Sequence, residues 1–255
     1  MNFFFIIAYK LKRITNRIEK RIKIPIFLFI SPFRLITFFL ERLLFKKINF
    51  EDLNYESHGG YYWKKIDREN QINVISAGIG TNIDFEKYIL DKKKVKNLIC
   101  IDPTLIGEKT IKESKINCIF LLGALFNFNG KIKIFTPQDK GDINYSISNL
   151  FNSKTYNYID SYNIRSICEK YNIKKIDILK LDVEGVAFEV LEDCIFNNIL
   201  PDQICLEKER PLMKNQMKYF HNLIKFKKLF KKDYEIYYYT STKLGQRIEL
   251  LCIKK

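Results

Sequence analysis

From about residue 70 the chain alternates between short apolar runs rich in Ile, Leu and Val and segments with a helical apolar period, which leaves few folds open. "INVISAG" (72–78) reads as a buried strand, "NIDFEKYILDKK" as the helix after it and "KNLICID" (96–102) as the next strand. "INCIFLLGAL" (116–125) and "KIKIFTP" (131–137) read as further strands. Beyond a polar loop, "DSYNIRSICEKYN" reads as a helix, "IDILKLD" (176–182) as a strand, "VAFEVLEDCIFNN" as a helix and "DQICLEK" (202–208) as a strand. A lysine-rich helix follows, and strands at 234–241 and 247–254 flank a loop with Gly245, a hairpin signal. The pattern predicts a doubly wound α/β domain with a mostly parallel sheet, ending in an antiparallel hairpin. With 255 residues the chain has room for one such domain, expected over 56–255, and an appendage over 1–55.

Sheets of this kind bind ligands beyond the carboxyl ends of their strands, near the point where strand order reverses. Three segments fall at such ends. In "SAGIGTN" (76–82), Gly78 and Gly80 stand between a strand and a helix, where glycine lets backbone approach a ligand and the helix start favours negative charge. A plain strand-to-helix turn has the same pattern. In "CIDPT" (100–104), Asp102 is placed to accept hydrogen bonds from the ribose hydroxyls of a nucleoside cofactor. In "LKLDVEG", Asp182 and Glu184 end a strand and Gly185 allows the turn into the next helix. These two carboxylates suit a general base, acceptors for a substrate hydroxyl, or hard-cation ligands together with Glu207. Glu184 also suits plain capping of the helix that follows.

Charge and cysteine usage narrow the setting. The net charge of +15 implies an acidic partner or surface. Residues 1–50 carry eleven Lys/Arg against Glu19 and Glu41, and 213–232 carry seven lysines and no acid. The latter block reads as an amphipathic helix whose core face holds Tyr219, Phe220, Leu223, Phe226 and Leu229–Phe230. In the first fifty residues apolar stretches precede the charges, no small-residue cleavage site follows, and the longest clean run, 24–33, is too short to span a bilayer. That leaves a helix lying on an anionic membrane surface, a helical cap docked on the domain, or a span, in that order. Six cysteines without ligand spacing, together with the isolated His58 and His221, argue against zinc and for a reducing, cytoplasmic setting.

Taken together, "ISAGIGTNIDFE", "IDPT", "DILKLDVEGVAFEVLED" and "DQICLEKE" resemble the FkbM-type S-adenosylmethionine-dependent methyltransferases and a related group whose first motif reads like "SFGIGEDISFD". The resemblance implies a class I methyltransferase, Rossmann-like fold with a seven-stranded sheet. It implies S-adenosylmethionine as cofactor, with Gly78 and Gly80 cradling the methionine portion and Asp102 taking the ribose hydroxyls. Three positions depart from the pattern. Ser76 stands where an acid is usual, which passes the cofactor's amine to backbone carbonyls; Asn82 replaces a third glycine but tolerates left-handed backbone; Ala187 replaces a common glutamate. The implied reaction is O-methylation of a sugar hydroxyl in a glycan or glycolipid, with Asp182 or Glu184 as base or hydroxyl acceptor. Glu207 would assist or, with Asp182, hold a divalent metal. RNA methylation is the alternative that the charge suggests, although the Asn/Asp-Pro-Pro-aromatic signature of adenine N-methylation is missing from "DVEG". A membrane-surface module without activity is the other.

Overall fold

The computed structural model describes residues 39–48, 55–67, 69–137, 145–149, 153–183, 185–209, 216–239 and 247–255. In chain order its elements are β1 (Lys46–Lys47), β2 (Tyr55–His58), β3 (Tyr61–Lys64), β4 (Gln71–Ala77), α1 (Asp84–Lys92), β5 (Lys94–Asp102), α2 (Leu105–Ser114), β6 (Ile119–Leu122), β7 (Ala124–Leu125), β8 (Gly130–Phe135) and β9 (Tyr156–Tyr162). Then come α3 (Ile164–Lys170), β10 (Ile178–Leu181), α4 (Ala187–Phe196), β11 (Gln203–Glu209), α5 (Gln216–Phe230), β12 (Tyr234–Tyr239) and β13 (Arg247–Lys254).

The main sheet runs β1-β12-β13-β11-β10-β4-β5-β6. Strands β11, β10, β4, β5 and β6 are parallel, while β13 is antiparallel to β11 and β12. This is the seven-stranded class I methyltransferase order, with β1 added parallel to β12 on one edge. The chain leaves β4 for β5 and β6 on one side and returns to β10 on the other. The reversal therefore lies between β4 and β10, whose ends are level because Ala77 pairs with Leu181.

Alternation along each strand sorts its side chains to two faces. Ile75, Ala77, Ile99, Leu179, Leu181 and Ile204 join Ile167 of α3, Phe188 and Leu191 of α4, and Leu223, Phe226 and Phe230 of α5 in one apolar core. The core face expected of the lysine-rich helix is thus the one it buries. Ile72, Val74, Leu98, Cys100, Ile178 and Cys205 form the second core with Phe85 and Ile89 of α1 and with Tyr61 and Trp63 of the β2–β3 hairpin. The hairpin turns at Gly59 and Gly60, both with positive φ. It is tied to β11 by Gln203, whose side chain accepts from Lys64 N (2.6 Å) and donates to Lys64 O (2.9 Å).

Two stretches differ from the sequence reading. The run 116–125 is not one strand: the chain leaves the main sheet after β6, and β7 joins a separate sheet ordered β7-β9-β8. Gly123 makes the crossing, since a Cβ there would stand 2.6 Å from Asp160 O. Residues 160–162 are not helical. "YNYIDSY" alternates as a strand against β8, and α3 starts only after Asn163, whose Oδ1 caps it by accepting from Ser166 N (2.8 Å).

At the N-terminal side, residues 39–44 are helical and Glu41 is buried, accepting a hydrogen bond from the Tyr219 hydroxyl. The membrane expectation concerns the first fifty residues; of these, 1–38 and 49–50 lie outside the described residues, as does Gly245. No helix among the described residues is long and apolar enough to cross a membrane.

Candidate active site

At the end of β4 the chain turns through Gly78-Ile79-Gly80 into the approach to α1. Gly78 has φ +81, its N–H donates to Ile101 O (2.9 Å), and Asp182 N donates to Ala77 O (2.9 Å). The turn is packed directly on the end of β10, so closely that a Cβ on Gly78 would lie 2.0 Å from Asp182 O. Only glycine fits. The result is a side-chain-free shelf at the reversal point, with the start of α1 beyond it.

Asp102, at the end of β5, closes this shelf from one side. One carboxylate oxygen accepts from Ile79 N (2.8 Å) and Gly80 N (2.9 Å), the other from Thr104 N (2.8 Å) and the Thr104 hydroxyl. The group is 3% exposed. Four donors fill the acceptor positions of a carboxylate. Gly107 makes room: a Cβ there would be 2.4 Å from Asp102 Cγ. Thr104 doubles as the N-cap of α2, accepting from Gly107 N (3.0 Å).

Asp182 stands on the other side and is half-buried. The Tyr61 hydroxyl donates to its Oδ2 (2.8 Å); among the described residues nothing donates to Oδ1. Burial first, then the charges of Asp182 and Glu207, hold the Tyr61 phenol well above its ordinary pKa, so it stays a neutral donor. The Tyr61 ring also lies over Lys180, 5.0 Å from the ammonium. Lys180 donates to Gly78 O (2.7 Å) and pairs with Glu86 of α1 (3.4 Å), which accepts the Ser76 hydroxyl (2.5 Å). Burial works against the Lys180 charge, but Glu86 and Asp182 outweigh it and raise the ammonium's pKa.

The structure therefore brings Ser76, Gly78, Gly80, Asp102 and Asp182 to one end of β4, β5 and β10. Glu184 lies outside the described residues. Glu207 is buried on β11, one residue past the Leu206 that pairs with Leu181, and opposite Glu249. Among the described residues no group of three or more His, Cys, Asp or Glu side chains is arranged to hold a metal ion. Asn82 differs from expectation: it is not left-handed, and its carboxamide instead accepts from Asp84 N (2.9 Å). Ser76 is fully buried and spends its hydroxyl on Glu86, and the Gly78 carbonyl is taken by Lys180.

Sequence reasoning missed Tyr61, Glu86 and Gly107. A signal existed for each. Gly59-Gly60 between two aromatic runs marks a hairpin; Glu86 interrupts an apolar stripe at Ile83, Glu86, Ile89; Gly107 follows "IDPT" by three residues.

Comparison with known proteins places the fold in a family. The profile of the FkbM methyltransferase domain matches residues 33–236. No curated protein matches significantly. The FkbM methyltransferase of Methylobacillus flagellatus KT aligns over 72% of this chain and 43% of its own, at 13% identity and a TM-score of 0.46. This chain thus spans under half of that protein's length. The Methanococcus jannaschii fibrillarin pre-rRNA processing protein aligns over 76% and 70%, at 14% identity and a TM-score of 0.43. The plantazolicin methyltransferase BpumL aligns over 96% and 90%, at 11% identity and 0.37. The assignment rests on the profile, which covers most of the chain, and on the strand order. The chain belongs to the FkbM family of S-adenosylmethionine-dependent methyltransferases.

Proposed function

We propose that this chain methylates a sugar hydroxyl of a glycan or glycolipid, with Asp182 accepting the hydroxyl proton. The observation that supports this most is the state of Asp182: half-buried at the reversal point, one oxygen held by Tyr61, the other taking no hydrogen bond among the described residues. The shelf at Gly78 and Gly80 suits the cofactor's methionine portion: Gly78 packs on Asp182 too closely for a Cβ, and both glycines hold positive φ, so the turn offers backbone at the strand end. When bound, S-adenosylmethionine supplies an electrophilic methyl group on a positively charged sulfur.

The chain's own part is orientation and proton removal. Tyr61 fixes the Asp182 carboxylate, and its open oxygen would receive the proton that the acceptor hydroxyl gives up. Asp102 serves by holding the turn; direct contact with ribose hydroxyls requires one of its four donors to let go. The basic segment 1–38 belongs to this reading as a contact to an anionic membrane surface, where lipid-linked acceptors reside.

The +15 charge favours RNA methylation as the second reading. One experiment separates the two: methyl-labelled S-adenosylmethionine offered with lipid-linked oligosaccharides, free glycans and RNA, using wild type and Asp182→Asn. Label in glycan hydroxyls, lost in the variant, supports the proposal. Label in RNA alone, or glycan labelling unchanged by the variant, overturns it.

A further inference from the structure

On the face of the sheet below the shelf, three buried polar groups lie together that the reaction above leaves unused. Lys180 and Ser76 are neighbours in register on β10 and β4, and Glu86 covers both from α1. Lys180 is 2% exposed and the other two are fully buried. Cys100, Cys205, Ile178 and Val74 surround them.

Such a pair is a poor stabiliser, because desolvation offsets the attraction and apolar residues of similar volume do as well or better. This one carries an added defect: Glu86 Oε2 is buried with no hydrogen-bond partner among the described residues. What apolar residues would not supply is a donor to the Gly78 carbonyl, which Lys180 reaches at 2.7 Å. The turn is held from both sides, its amides by Asp102 and its carbonyl by Lys180.

We propose that Glu86 and Lys180 are a positioning pair for the cofactor shelf, supplying from α1 the negative charge that this chain lacks at Ser76. Lys180 sets the Gly78 carbonyl, Glu86 keeps Lys180 charged and aimed, and Ser76 anchors Glu86. The pair acts through the turn and rests on the reading of the shelf as the S-adenosylmethionine site.

The test is calorimetric titration with S-adenosylhomocysteine, together with thermal unfolding and steady-state kinetics, on wild type, Glu86→Leu/Lys180→Met and Glu86→Gln. In the double variant the unfolding midpoint stays at or above the wild-type value while affinity falls about tenfold or more, with most of the kinetic loss in the cofactor KM. Glu86→Gln keeps the shape and the Ser76 contact and loses about three- to tenfold. Wild-type affinity in a stable double variant overturns the proposal, and so does wild-type affinity in Glu86→Gln should the double variant not fold. A wild-type chain that binds no S-adenosylhomocysteine overturns the cofactor reading itself.

Discussion

Asp102 and Asp182 end the two strands that flank β4, on the same face of one sheet, and the structure treats them in opposite ways. Asp102 is buried beneath Gly107 with four donors on its two oxygens. Among the described residues Asp182 has one donor, Tyr61, and its other oxygen accepts no hydrogen bond. A carboxylate whose acceptor positions are filled by backbone amides orders that backbone. One with an open oxygen can meet a ligand. Residue type and strand-end position are thus shared, and the role is set by donors contributed from elsewhere in the chain.

The comparison breaks most directly at Asp182. Asp182→Asn keeps the shape and a partner for Tyr61 but removes the proton acceptor proposed above, and methyl transfer should fall by about 10²- to 10⁴-fold. Single-turnover kinetics measures this. The unfolding midpoint and S-adenosylhomocysteine affinity stay near wild type. An undiminished rate would make Asp182 a second strut and erase the contrast.

Asp102→Ala should do the reverse. It strands the amides of Ile79, Gly80 and Thr104, each at a cost of about 1–3 kcal/mol when buried. Some 3 kcal/mol or more is a large share of a typical total of about 5–15 kcal/mol. Denaturant unfolding should show the loss, and cofactor affinity should fall with it because the shelf loosens. Gly107→Ala probes the same strut more gently: its Cβ would press on Asp102 Cγ, costing about 1–3 kcal/mol as overpacking. The same exchange of Gly for Ala leaves the Asp182 side untouched.

How far this contrast was legible in sequence follows from where the donors lie. The glycine turn, both aspartates and the terminal hairpin are local patterns, and the rule that α/β sheets present their sites at strand ends joined them correctly. Tyr61 is not local: it lies 121 residues before Asp182, and nothing in "YESHGGYYWK" says which strand the hairpin covers. Lys180 shows in the sequence as a break in an apolar run, yet it makes sense only with Glu86, which sits where a helix normally buries an aliphatic side chain. The break at Gly123 was missed because one glycine in an otherwise apolar run carries no mark of changing sheets; tertiary crowding against Asp160 and Tyr162 decides it.

The smallest expected effect separates the two aspartates by pH. The Tyr61 phenol is held above its ordinary pKa of 10.0 by burial and then by Asp182 and Glu207, and Lys180 above 10.5 despite burial, through Glu86 and Asp182. Both folded pKa values exceed the unfolded ones. Their contribution is therefore complete below about pH 10 and is lost as pH climbs toward the folded values, where the unfolded chain sheds protons that the folded one retains. Tyr61→Phe removes one such group and should flatten the alkaline limb of stability by up to about 1.4 kcal/mol per pH unit. Urea unfolding between pH 8 and about 11 reads this slope. Buried Tyr239 and Cys205, also pushed up by burial, stay as a common background in every variant. At the Asp102 end the donors are amides and a threonine hydroxyl, which do not titrate in this range. Asp102→Asn should lower the whole curve without changing its slope, whereas Tyr61→Phe should change the slope. A slope unchanged in Tyr61→Phe would mean that the phenol and Asp182 are not coupled, and that the open carboxylate is oriented by something other than the hairpin.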